Sequence, residues 1–281
     1  MHHGTGVAMK QARKQRGRTL IEILVAITIG LMLTVGILSI FSANRQTYRA
    51  STDLQRMQAA GQLALDRLAY QVRMAGYGQL IGDFTNALNP SSFVGNPVWA
   101  CSGGFNDPVD ASVTPGCIGN AAQPDALQIR YQVENAAVPG SGESRDCLGF
   151  TIPDVAGVRT AQNRFYIANS NGAQTLMCAG NGGAAAGLPP APLIPNVEDL
   201  QVRLRVGDPF TRAERVLPPE LIADWGRVLG VELCVQVVSE GTGLVEGGTQ
   251  AGTPCRGGAF PSDGRLRRTF TQVVTLRNRI M

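Results

Sequence analysis

From Ile23 to Asn44 the chain runs for 22 residues without one charged side chain. Wound as an α-helix at about 1.5 Å per residue, such a run covers roughly 33 Å, enough to cross the hydrocarbon core of a bilayer. The pattern is that of one membrane span. Lys10, Arg13, Lys14, Arg16 and Arg18 precede it, and a cluster of cations on one flank keeps that flank in the cytoplasm and sends the rest of the chain outward. A secretory signal has a shorter apolar region of roughly 7–15 residues with a small-residue cut site behind it. Here the run is longer and passes directly into a polar helical pattern, so simple signal removal is not expected.

That pattern is amphipathic. Leu54, Met57, Gly61, Leu65, Leu68 and Val72 recur at spacings of three and four, while Asp53, Arg56, Asp66, Arg67 and Arg73 fall mostly on other faces. Gly76 and Gly78, on either side of Tyr77, predict a stop, so one helix is expected from about Thr19 to about Ala75. Its first half is apolar all round, and its second half carries a stripe that needs a surface to bury it.

Composition narrows the chemistry. The only histidines are His2 and His3, so a Ser-His-Asp triad, a Cys-His pair or a multi-histidine metal site cannot be assembled in the body of the chain. The 25 Lys and Arg outnumber the 21 Asp and Glu only through four cations in the first 17 residues, and the remainder carries no net charge. A nucleic-acid binder driven by phosphate attraction carries a basic surplus on its folded part, so nucleic acid is not an expected partner. Six cysteines, at 101, 117, 147, 178, 234 and 255, form no CxxC pair. An even number, widely spaced beyond a membrane span, points to disulfides in an oxidising compartment. Pairing of sequence neighbours is the simplest of the roughly 15 possible connectivities.

Residues 86–124 are rich in Asn, Pro, Ser and Gly and read as loop. Strand patterns follow at 126–133, at 164–168 and 175–178 around a turn at 169–172, and at 200–206, 231–238 and 269–276. Their alternation predicts an antiparallel sheet with one face buried under the helix stripe. Residues 180–195 read as a linker or flap, and 218–225 as a helical turn opened by proline. Glu198 with Asp199, and Asp107 with Asp110, read as solvated loop charges. Arg265, Arg267 and Arg268 read as an exposed face. No calcium loop and no catalytic centre is indicated.

Glu22 stands at the head of the apolar span. It either remains near the headgroups in a helix first turn, where negative charge is favoured, or awaits a cation inside a low-dielectric assembly. The segment Arg16-Gly17-Arg18-Thr19-Leu20-Ile21-Glu22, followed by the apolar helix, resembles the class III leader of type IV pilins and type II secretion pseudopilins. The resemblance implies that a prepilin peptidase cuts after Gly17 and methylates the new N-terminus at Arg18, leaving Glu22 as the fifth mature residue and an assembly determinant. The family usually carries Phe or Met where Arg18 stands.

Residues 41–49, 54–58 and 72–77 resemble the helix of the PilW-type minor pilins, and 225–238 and 270–279 their closing strands. The placement of Cys147 and Cys178 also recurs in PilW-like proteins. The implied fold is α+β and pilin-like, a long N-terminal helix on an antiparallel sheet with disulfide-stapled loops. The implied organisation is a cleaved leader at 1–17, a transmembrane half-helix at 18–44, an amphipathic half at 45–78 and a β-rich extracytoplasmic domain at 79–281.

The implied role is a minor pilin of a type IV pilus initiation or tip complex, without enzymatic activity or cofactor, tied by family to adhesion and twitching motility. Its expected partners are prepilin peptidase, the other minor pilins, the major pilin and a tip adhesin, with the inner membrane as its site before assembly. A minor pseudopilin of a type II secretion system is the alternative within assembly proteins. A membrane-anchored periplasmic binding protein or enzyme is the alternative from another class.

Overall fold

The computed structural model describes residues 19–78, 93–110, 112–133, 145–155, 157–182, 190–208, 213–243, 245 and 250–279. The chain divides into two compact units, 1–50 and 51–281. Helix α1 spans Leu20–Met74, close to the range that the periodicity predicts. Gly76, at φ 74°, takes the left-handed conformation that ends helices without a Cβ clash. The exit is tied down twice: Gly76 N–H donates to Arg130 O, and the Asn278 side chain donates to the carbonyls of Arg73, Met74 and Ala75.

In the second unit, strands β1 (Val98–Cys101), β2 (Ala126–Val133), β3 (Arg159–Ser170), β4 (Ala173–Gly180) and β5 (Pro190–Pro195) form one antiparallel sheet in that order. Strands β6 (Val197–Gly207), β7 (Glu214–Leu217), β8 (Val228–Val238) and β9 (Arg267–Thr275) form another, ordered β7-β6-β8-β9. The single sheet expected from alternation is therefore two. The division falls at Asn196, whose φ of 61° turns the chain out of one sheet and into the next within one residue. The β3–β4 hairpin closes on Asn171 and Gly172 at φ 52° and 82°, the asparagine-glycine pair that two-residue hairpin turns favour.

Three strands lie where alternation is silent. β5 contains Pro190, Pro192 and Pro195, which supply no N–H, and it survives as a strand because it is an edge that pairs only with β4. β1 and β7 have four residues each, too few to display a period. The proline-led turn at 218–225 becomes two 3₁₀ turns, Pro219–Leu221 and Trp225–Arg227.

One core joins the helix to both sheets. Met57, Ala64, Leu65, Leu68, Ala69 and Val72 of α1 are buried with Leu127, Ile129 and Phe165 of the first sheet and Leu200, Val231, Leu233 and Val235 of the second. Leu54, the first residue of the predicted stripe, is instead exposed. Gly61 is where the helix comes closest to β9: a Cβ built there would lie 2.2 Å from the Phe270 ring. Glycine inside a helix costs roughly 1 kcal/mol relative to alanine, so this one is retained for the approach. Gly61→Ala should therefore destabilise the body by about 1–3 kcal/mol despite its better helix propensity. In urea unfolding, combining it with Phe270→Ala should cost less than the sum of the two single changes.

Candidate functional site

The sequence directs attention to the N-terminal helix. Gly17 and Arg18 lie outside the described residues. Glu22 sits in the first turn of α1, its N–H donating to Thr19 O at 3.1 Å. The large apolar side chains from Leu20 to Phe41 are all exposed, and the helix is long and apolar enough to cross a membrane. Both threonines between Leu20 and Phe41 bond back to the helix. Thr28 Oγ1 donates to Val25 O at 2.9 Å and Thr34 Oγ1 to Gly30 O at 2.6 Å, which lets hydroxyls sit in surroundings that offer no water. Where the charge-free run ends, the Arg45 guanidinium lies 5.1 Å from the Phe41 ring centre.

The body is held by links that a small, loop-rich domain needs. Cys101–Cys117, Cys147–Cys178 and Cys234–Cys255 are bonded. Loops of this size stabilise by roughly 3–4 kcal/mol each in the chain-entropy account. The first closes a loop over the outer face of the first sheet, so β2 is buried on both faces rather than one. Arg164 of β3 is the anchor beneath that loop. Its side chain, 0% exposed, donates to Gln128 Oε1 at 2.7 Å, to the carbonyls of Asp107 and Pro108, and to Ser112 O at 2.6 Å, and it lies 5.4 Å from the Phe105 ring. Gln128 and Gln162 add hydrogen bonds to Val113 O and Ser112 O.

On the helix side, Asn163 donates to Gln71 Oε1 of α1 at 2.8 Å and to the Tyr131 hydroxyl at 3.3 Å, and accepts from Cys147 N–H at 3.0 Å. Helix, sheet and second disulfide thus share one polar hinge.

Two acidic sites depart from the expectation of solvated charges. Asp199 is buried and pairs with Arg256 at 2.6 Å, and Glu198 pairs with Arg267 at 2.6 Å. A register shift explains it: between Val197 and Asp199 the pairing of β6 with β8 slips by one residue, so Glu198 and Asp199 stand together beside Gln236 and each meets an arginine carried by the 250–267 segment. Arg267, predicted on an exposed face, is buried between Glu198 and Asp263. Those hydrogen bonds hold Asp263 far below the usual carboxylate range. Asp107 and Asp110 are exposed, as loop charges should be.

Asp125 joins the two sheets at the start of β2, accepting from Gly103 N–H at 3.1 Å and Val202 N–H at 2.9 Å. Burial raises its pKa to about 6; the two N–H groups oppose the shift, and the charges of Asp199 and Glu220 reinforce it. Sequence reading missed Arg164, Asp125 and Asn278. The one signal on offer was an arginine opening the otherwise apolar run at 164–168.

Among the described residues no group of three or more His, Cys, Asp or Glu could hold a metal ion. A family model described as Type IV Pilus-assembly protein W matches residues 164–278, and one for the prokaryotic N-terminal methylation motif matches residues 12–38. The helix segments at 41–77 that carry much of the resemblance lie outside both ranges. Among solved structures, a type IV-like pilin from Thermus thermophilus is 17% identical, with a TM-score of 0.46 over 79% of this chain and 97% of its own. No curated protein sequence matches the chain.

A long apolar N-terminal helix under a methylation motif, continued by an amphipathic half that packs on disulfide-stapled antiparallel sheets, is the arrangement of a type IV pilin-like protein. Within that class, residues 164–278 match the PilW type, and together with the methylation motif this supports a minor pilin of type IV pilus assembly. That likeness is to structural proteins. The leader motif implies processing by a prepilin peptidase, the pilin class implies contact with other pilins, and motif and helix together fit anchoring in the inner membrane.

The raised pKa of Asp125 sets a pH dependence. A carboxyl that titrates near 3.8 unfolded and near 6 folded holds its proton more tightly in the fold, so its contribution to stability is lost as pH rises from about 4 to about 6. Burial shifts Asp199 in the same direction. Asp125→Asn should therefore reduce the fall in unfolding free energy between pH 4.5 and pH 7 by on the order of 1–2 kcal/mol, read from urea titrations across that range.

Proposed function

We propose that the chain is made as a single-pass inner-membrane precursor with residues 1–17 in the cytoplasm and the body, 79–281, in the periplasm. A prepilin peptidase cuts after Gly17 and methylates Arg18. The matured subunit then enters an initiation or tip complex with the other minor pilins, the major pilin and a tip adhesin, and its role is assembly rather than catalysis. The observation that carries this reading is the composition of α1: between Leu20 and Asn44 its sole charge is Glu22, and the run adjoins the methylation motif. Cut after Gly17, the protein begins at Arg18 and loses both lysines and both histidines. Mass spectrometry of membrane protein from cells with and without the peptidase should show that N-terminus only in the former; an intact leader in both removes the proposal.

Glu22 has the second role. A carboxylate that leaves the bilayer edge for a helical bundle keeps its charge only beside a cation, since unpaired burial costs several kcal/mol. The new N-terminus of a neighbouring subunit supplies that cation, and Arg18 adds a guanidinium at the same end. Glu22→Ala should leave insertion and processing at wild-type levels while lowering the number of surface pili severalfold, counted by electron microscopy. Wild-type pilus number in the mutant would mean that the glutamate is only a tolerated residue at the membrane edge.

A further inference from the structure

Beside α1 the body opens into a groove of about 510 Å³, lined by Leu63, Arg67 and Tyr70 of the helix, by the turn at 145–149 and by Leu193 and Ile194 of β5. Its size is within the roughly 300–1,000 Å³ of ligand-binding clefts. The walls are built rather than incidental. The turn is stapled by Cys147–Cys178, and the buried Asp146 carboxylate accepts from the backbone N–H groups of Leu148, Phe150 and Gly182, each at 2.9 Å. Glycine is required opposite: a Cβ at Gly180 or Gly182 would fall 2.4 or 2.6 Å from that carboxylate. The floor is the Gln71–Asn163–Tyr131 hydrogen-bonded set with buried Phe165 beside it.

The charges of the groove are one-sided. Among the described residues Asp146 is the only acid in its lining, and it is spent on the N–H groups of Leu148, Phe150 and Gly182. Arg67 and Arg145 are exposed at the rim, and Arg145 is held by donating to Gly149 O at 2.6 Å. Around them Leu63 and Tyr70 are 48% and 47% exposed. β5 cannot receive a partner strand along its length because Pro190, Pro192 and Pro195 have no N–H to offer, so recognition here falls to side chains. Arginine and tyrosine are the residues that most often carry binding energy at protein surfaces, and arginine takes carboxylates in its planar fork.

We propose that this groove docks an extended acidic and apolar peptide segment of a partner protein, with its carboxylate at Arg67 and Arg145 and its apolar side chain on Leu63, Tyr70, Leu193 and Ile194. A polyanion such as nucleic acid is the poorer fit, because the chain beyond its first 17 residues is neutral and, among the described residues, two guanidinium groups line the groove. The proposal rests neither on leader processing nor on Glu22.

The full chain purified in detergent is the target for selection from a displayed library of random heptapeptides, with an oligothymidylate as the competing probe. Selected peptides should pair Asp or Glu with a neighbouring Leu, Ile, Phe or Tyr. Their affinity should fall by about tenfold or more for Arg67→Glu/Arg145→Glu and stay unchanged for Arg215→Glu on exposed β7. Peptide mapping for Cys147–Cys178 checks that the turn survives, and Arg67→Glu alone, an exposed helix position, carries the test if it does not. Failure to select peptides, selection of basic or uncharged ones, indifference to the Arg67 substitution, or displacement of the peptides by oligothymidylate would each overturn the proposal.

Discussion

Everything in the body is built against the ridge of α1 from Met57 to Val72. That ridge is narrow, with Gly61, Ala64 and Ala69 among its buried positions, and small side chains let both sheets approach it. A single helix thus closes a core shared by the two described sheets, whose strands pair only within their own sheet. The closeness imposes its own requirements. At Gly61 there is no room for a methyl group beneath Phe270, and at the helix exit the carbonyls of the last turn are capped from the far end of the chain by Asn278.

The remaining surface has too little apolar material to cover itself, and polar anchors stand in. Arg164 gathers the 105–117 loop by its carbonyls, Asp125 takes an N–H from each of two elements that otherwise do not pair, and Arg267 holds Glu198 and Asp263. Each is a buried charge with its partners in place, the arrangement in which breaking one partner costs most. The disulfides act beside these anchors. Cys101–Cys117 closes the loop above Arg164, Cys147–Cys178 fixes the turn beside Asn163, and Cys234–Cys255 tethers the segment that carries Arg256. Covalent and ionic links are thus concentrated in the irregular half of the body, where hydrophobic burial contributes least.

The helix was legible because it rests on one-dimensional signals. A charge-free run, a spacing of three and four, a glycine stop and the residues around Gly17 need no knowledge of what lies across the fold. Alternation likewise exposed β2, β6, β8 and β9 and the Asn-Gly turn. It was silent on β5, where prolines read as flap until an edge position accommodates them. It was equally silent on the split into two sheets, which turns on one residue, Asn196, in a left-handed conformation.

What the sequence by itself determined is therefore the apolar first half of α1: its length, its lone glutamate and the motif before it, all properties of consecutive residues. Only the tertiary structure decided which charges are buried. Asp199 and Arg267 look like ordinary surface residues in sequence, and they become buried partners because segments 57 and 69 residues apart meet. The groove beside α1 has the same origin, assembled from a helix, a stapled turn and an edge strand that share no local pattern. Coulomb energy and exclusion of water depend on distance in space, and distance along the chain does not report it.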